Sequence, residues 1–273
     1  MAEVSALPYK CTLSETSLEK AKRELNEDPA TRQQKLNELR DLFKNRPDIN
    51  FRLDDAFLLR FLRNKKFDVD RTLKALIHYY KVRRDYREIF DNYKPSAVRD
   101  TLNFQHDFIC PSRDKEGRVV FVTRIGLMDE YDVTEVVKAQ LLLLETLLCD
   151  EEVQVNGMVY AVDWAKLSSK DMKYTSPMML KKVTDVYLIH FHGDEYGSLH
   201  EHVPSAMLPC ELGGQLPGYD NTEWVNKILA AEEDFVYYNQ FGFLKSADVL
   251  GKQETTADPT TGLTGTFKKL DVN

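Results

Sequence analysis

Two uninterrupted apolar runs constrain this chain more than any other feature: Val119 to Val122, extended by Ile125, and Met158 to Val162. Each has the length of one strand, and neither alternates apolar with polar residues, so a strand there has both faces covered by other parts of the chain. That is the pattern of a largely parallel sheet flanked by helices. The turn-forming stretch Asp114 to Gly117 starts the first strand at Arg118. Between the runs, Asp132 with Glu135 reads as a capping box, opening a helix in which Val136, Val137, Ala139, Leu141 to Leu144, Leu147 and Leu148 leave little of the circumference polar. Such a helix sits deep in a core or lines an apolar cavity.

The first hundred residues have a different period. Ser14, with Ser17 and Glu19 behind it, resembles a helix start, Pro29 breaks the pattern, and Leu36, Leu39, Leu42 and Phe43 recur at helical spacing, so two short helices are expected over 14–46. From Asp54 to Arg63, Phe57, Leu58, Phe61 and Leu62 form one apolar stripe that leaves Arg60 and Arg63 to face outward. Asp68 or Asp70 caps a further helix carrying Leu73, Leu76, Ile77, Tyr80 and Val82, which ends near Asp91 or Pro95. The reading is an all-helical unit followed, near residue 105, by an α/β unit.

The 273 residues, 42% hydrophobic and 30% charged, are those of a globular chain, and no apolar run approaches the about 20 residues that span a bilayer. Residues 1–10 show no secretory signal, so a cytoplasmic protein is expected. Cys11, Cys110, Cys149 and Cys210 are scattered without C-x-x-C spacing, which favours reduced thiols over a zinc site or a disulfide framework. A net charge of -7 argues against nucleic-acid binding. Residues 52–99 nevertheless hold 13 Lys and Arg against 7 Asp and Glu, a basic face that could meet anionic lipid headgroups; a solvated helix face is the plainer reading.

The ordered motifs go further. Leu53 to Arg63 followed by Lys66-Phe67-Asp68, Gly117 to Val120, Asn156 to Asp163, and Ser198 to Pro204 leading into Leu208 to Gly214 resemble the CRAL-TRIO family, over about residues 11 to 250. The resemblance is strongest to the group of tocopherol-transfer proteins and clavesins. It implies an N-terminal helical bundle (11–104) and a CRAL-TRIO lipid-binding α/β domain with a mostly parallel sheet (105–250); a flexible start (1–10) precedes them, and the Thr- and Gly-rich composition of the end reads as a disordered tail (251–273). The resemblance implies a monomeric, non-enzymatic carrier without cofactor or metal. Its cavity encloses a hydrophobic ligand of the tocopherol (vitamin E), retinoid or phosphoinositide class and exchanges it at membranes, with peripheral contact to endosomal ones. Carried over by position, the cavity wall falls on Val137, Gln140 and Leu144 of the apolar helix, Met158 and Val162 of the strand, and Val183 and Val186 of a helix over 176–187. Ordinary core packing is the alternative for each. Arg60, Arg63, Lys65 and Lys66 are the expected anionic-membrane contacts.

One junction departs from the family pattern. The helix ending near Tyr187 runs straight into Leu188 to His192, which reads as a strand, without the usual two to six connecting residues. Family members carry a further strand and a gate helix there, roughly forty residues. The chain thus reads as a splice or deletion variant lacking one strand and the gate helix, its ligand site left open or unformed; a truncated isoform acting as a membrane or protein interaction module is the rival reading.

Other features point to structure. His190, His192, His200 and His202 lack the H-E-x-x-H spacing of a zinc protease, Gly213-Gly214 is a turn without a P-loop ending, and no G-x-S-x-G elbow occurs. Asp163, at a strand end, is the best isolated acid and is expected to cap the next turn. Trp164 and Trp224 are expected to pack.

Overall fold

The structure, a computed structural model, describes residues 9–104, 106–124, 132–163 and 196–244. It begins with α1 (Glu15–Leu25), whose N-cap Ser14 accepts a hydrogen bond from the Ser17 amide, and α2 (Arg32–Phe43), with the turn around Pro29 between them. After a two-residue strand, β1 (Ile49–Asn50), come α3 (Asp55–Asn64) and α4 (Val69–Asp85). Both start where a carboxylate satisfies a free amide of the first turn: Asp54 accepts from Phe57 at 3.0 Å and Asp68 from Arg71 at 2.9 Å. Short α5 (Arg87–Phe90), a 3-10 turn at Pro95–Val98 and α6 (Arg99–Asn103) lead to the sheet.

The sheet opens with β2 (Asp107–Arg113), which pairs antiparallel with β3 (Val119–Arg124). In the hairpin, Asp114 accepts from the amides of Glu116 and Arg118 and Gly117 takes φ 76°, the left-handed conformation glycine adopts without strain. Next come α7 (Val133–Leu147), α8 (Glu151–Asn156) and β4 (Met158–Asp163), which runs parallel to β3 with Val119 opposite Met158 and Phe121 opposite Tyr160. The described part ends with α9 (Gly197–His202), two 3-10 turns, α10 (Thr222–Ala230), α11 (Glu232–Tyr238) and β5 (Gly242–Phe243).

Alternate residues of the strands serve two cores. Ile109, Val119 and Phe121 face α7, where Leu142, Leu143 and Leu147 are buried, and α10 and α11 add Val225, Ile228 and Phe235. Phe108, Cys110, Val120 and Val122 face the opposite way, against Leu199, Val203, Met207 and Leu208. Coverage on both sides is what the unalternating β3 sequence requires, and each fully buried Val, Leu or Phe contributes about 1.5–3 kcal/mol.

The described sheet, in the order β2-β3-β4, joins the expected parallel pair β3-β4 to an antiparallel hairpin of β2 with β3. Three differences from the sequence reading follow. The helical region contains β1, which pairs antiparallel with β5 from the far end of the described chain, Ile49 opposite Phe243. Helix α8 had no strong periodicity to announce it. The core also crosses residue 104: Tyr93, Val98 and Leu102 pack with α7 and β3. The helix over 176–187, the junction after Tyr187, and the ends 1–8 and 251–273 lie outside the described residues.

Candidate functional site

Helix α7 builds the site because its circumference is split. Asp132 caps it, accepting from the Thr134 and Glu135 amides, while the Glu135 carboxylate takes a hydrogen bond from the Thr101 hydroxyl instead of closing the capping box. Val136, Ala139, Leu142, Leu143 and Leu147 are sealed in the core. The neighbouring flank, Val137, Gln140 and Leu144, is only partly buried.

Across from that flank lies one face of β4. Met158, Tyr160 and Val162 point to the α7 side of the sheet, alternating with Val159 and Ala161, which pack on the other core. None of the five is fully covered, and Tyr160 is 53% exposed although its ring stacks on Phe121 at 5.1 Å. The structure therefore brings Val137, Gln140, Leu144, Met158 and Val162 to one half-open, mostly apolar face. Val183 and Val186 lie outside the described residues.

Gln140 is more than wall. Its Nε2 reaches Thr123 Oγ1 at 3.1 Å, Asp107 Oδ1 at 3.3 Å and the Tyr160 hydroxyl at 3.3 Å. Tyr160 donates to Thr123 at 3.0 Å, and Thr123 donates to Asp107 at 2.6 Å. Burial raises the Tyr160 phenol above its ordinary 10.0, against hydrogen bonds to Thr123 and Gln140 that work to lower it, so the hydroxyl stays protonated at neutral pH. Asp107 is 5% exposed, and His106 Nε2 lies 3.0 Å from its other oxygen, close but without hydrogen-bond geometry. Beside that pair, a cavity of about 10 Å³, room for one water molecule, is lined by His106, Asp107 and Asn221 among apolar residues. Sequence reasoning had no role for Tyr160, Thr123 or Asp107; the polar positions Thr123 and Tyr160 inside apolar strand runs were the available signal.

A groove of about 300 Å³ opens on another flank of α7, lined by Ala75, Tyr79, Val82, Phe90, Leu141 and the ion pair of Arg83 with Glu145. The charges at its base are engaged: Glu145 also accepts from Tyr79, and the Arg83 guanidinium sits over the Tyr79, Phe90 and Tyr93 rings at 4.6–4.8 Å. They lock α4 to α7.

The proposed basic face is corrected. Arg63 has a fully buried side chain: all five of its N–H groups are used, bidentate on Glu27 at 2.7 and 2.9 Å, on Glu151 at 2.8 Å, Gln154 at 2.7 Å and the Tyr9 hydroxyl at 3.2 Å. Arg60 is 10% exposed, its guanidinium over Phe57 at 5.4 Å and 3.8 Å from Glu145. Neither reaches a membrane surface. Lys66 is exposed and Lys65 partly so. The missed signal was Leu59, one turn before Arg63, which widens the buried face of α3 beyond the stripe of Phe57, Leu58, Phe61 and Leu62.

The remaining candidates are structural. His200 and His202 lie on α9, and His200 Nε2 is 3.1 Å from the Leu212 carbonyl. Asp163 accepts from the Tyr219 hydroxyl at 3.2 Å. Trp224 packs beside the α7 core with Lys227 against its ring at 4.4 Å. The four thiols are free, and burial pushes that of Cys110 up to about 12. Among the described residues no group of three His, Cys, Asp or Glu could hold a metal, and no helix is long and apolar enough to cross a membrane. His190, His192 and Trp164 lie outside the described residues.

Comparison with known proteins places this architecture. Residues 104–188 match the model of the CRAL/TRIO domain, and residues 28–99 match that of the Pinta-like, UBA domain. The chain belongs to the CRAL-TRIO family. Within it, the chain is similar to the alpha-tocopherol transfer protein-like of Mus musculus, 35% identical over 268 aligned positions covering 84% of this chain and 78% of the relative. The human alpha-tocopherol transfer protein-like is 34% identical with the same coverage, and clavesin-2 of Rattus norvegicus is 32% identical over 264 positions covering 81% of each chain. These alignments are longer than the part of this chain they contain: 84% of 273 residues is about 229, about 39 fewer than 268, and 81% is about 221, about 43 fewer than 264.

Proposed function

We propose that the chain is a non-enzymatic lipid carrier that holds one hydrophobic ligand between α7 and the β4 face of the sheet. The observation that carries this is the common, partly uncovered face of Val137, Gln140, Leu144, Met158 and Val162, beside the sealed core that Ala139, Leu142, Leu143 and Leu147 make with the sheet. A lipid chain laid there removes apolar surface from water at about 25 cal/mol per Å², with no catalytic group needed. The names of the relatives support a ligand of the tocopherol class, and retinoid and phosphoinositide ligands belong to the same reading. It extends to exchange at membranes by a cytoplasmic monomer that touches anionic, endosomal-type surfaces through Lys65 and Lys66.

The second reading has its own observation. The CRAL/TRIO match stops at residue 188, one past Tyr187, and about 40 aligned positions of the relatives have no counterpart here. Both support the loss of a strand and a gate helix, about the size of one such unit. In that case the chain is a deletion variant that retains the helical region and acts as an interaction module without lipid exchange.

Thermal unfolding with and without a fluorescent tocopherol analogue separates the two. A working carrier at ligand near one hundred times Kd gains about 2.7 kcal/mol, a rise in Tm of several degrees, and it moves the analogue between vesicles. No shift with tocopherol, retinoid or phosphoinositide, alongside retained binding to anionic vesicles, selects the interaction module. In either case reversing Lys65 and Lys66 to Glu weakens anionic-vesicle binding by about 1 kcal/mol per lysine; unchanged binding refutes the membrane contact.

A further inference from the structure

We propose that Gln140 and Tyr160 are the specificity-determining end of the ligand site and select a neutral lipid carrying a hydroxyl over one carrying an ether or an acid. The proposal rests on the carrier reading and follows from the direction of the protons in the relay beneath them.

The Asp107 carboxylate is acceptor-only, so Thr123, 2.6 Å away, must donate to it. The Thr123 oxygen is then left to accept, and Tyr160 at 3.0 Å donates to it. Gln140 turns its Nε2 toward three oxygens, those of Asp107, Thr123 and Tyr160, which fixes the amide orientation and points Oε1 away from the relay. The two hydroxyl protons therefore run inward, from Tyr160 to Thr123 and from Thr123 to a buried carboxylate. Among the described residues, what these two side chains leave on the outer side is acceptor capacity, at Gln140 Oε1 and on the Tyr160 oxygen.

These two groups sit among Val137, Leu144, Met158 and Val162, on the face left partly uncovered, with Tyr160 about half exposed. A hydroxyl arriving there donates to the waiting acceptors. An ether oxygen has no proton to give. A carboxylate or phosphate meets the acceptors of Gln140 and Tyr160, with the Asp107 carboxylate behind them. A polar relay that merely joined α7 to the sheet would make the same internal hydrogen bonds but would not sort ligands by head group.

The test displaces a fluorescent tocopherol analogue from the full chain with three competitors sharing one alkyl chain: octadecanol, octadecyl methyl ether and octadecanoate. One hydrogen bond to a preorganised acceptor gives octadecanol about a tenfold advantage over the other two. In Tyr160→Phe, which keeps the ring that stacks on Phe121, and in Gln140→Met the advantage of octadecanol over the ether, read as a ratio within each variant, falls to about threefold or less. Thermal melts of both variants confirm that the fold is kept. Equal displacement by all three lipids, or a full advantage surviving in both variants, overturns this inference and leaves the carrier reading standing. Failure of the fluorescent analogue to bind at all overturns both.

Discussion

Arg63 shows how one residue couples two parts of the chain. Its guanidinium joins Glu27, between α1 and α2, to Glu151 at the start of α8, and the same region holds the N-terminal segment through Thr12 to Glu151 and Ser14 and Ser17 to Glu152. Replacing Arg63 with Met leaves Glu27 and Glu151 buried without their shared cation, and a loss of about 3–5 kcal/mol is expected in urea unfolding at neutral pH. The pH dependence has a definite sign. Burial raises the Glu151 carboxyl, but hydrogen bonds from Thr12 and Tyr9 and the charge of Arg63 outweigh it and hold the carboxyl below its ordinary 4.5. A carboxyl depressed on folding contributes stability that is fully present above about 4.5 and is lost as pH falls through the folded value. The native chain therefore weakens in acid below that point. The Arg63→Met chain, keeping the burial and losing the charge, loses less on acidification; an acid-side loss as large as the native one contradicts this account of Glu151.

At the scale of elements, the turn that carries Gly213-Gly214 is fixed by space more than by propensity. Gly213 takes φ 68°, and a Cβ on Gly214 would stand 1.9 Å from the Leu208 carbonyl oxygen, an atom that cannot move without breaking the hydrogen bond it accepts from Leu216. Gly214→Ala is expected to cost at least about 1–3 kcal/mol by overpacking, measurable as a lower Tm, whereas a change within 0.5 kcal/mol would mean the turn is looser than this. The sequence located this turn and the starts of α1, α3, α4 and α7, because each is set by a cap or glycine acting over a few residues. It missed β2 and α8, whose short segments carry no periodicity of their own and are held by neighbours: β2 by β3, and α8 by the N-terminal segment it binds.

At the scale of the molecule, the two family matches meet near residue 100, yet the packing does not divide there. Tyr93, Val98 and Leu102 share the core of α7, β1 pairs with β5, and Arg63 reaches Glu151. Unfolding by urea is therefore expected to be one cooperative transition, with far-UV circular dichroism and tryptophan fluorescence tracing the same curve. Two separated midpoints would show that the helical region is an independent unit.

Read without coordinates, the chain already determined its helical first hundred residues, its change to α/β near residue 105, its doubly covered strand β3 and the helix that walls the candidate site, because period, caps and turns are local properties. Five of the seven expected wall residues could be placed, and they share one face. Tertiary structure alone decided that Arg63 is interior, that β2 makes the sheet mixed, and that Gln140 and Tyr160 end a relay leading to Asp107. Such facts depend on which distant side chains meet, and a charged residue reads the same in sequence whether water or a buried carboxylate completes its hydrogen bonds.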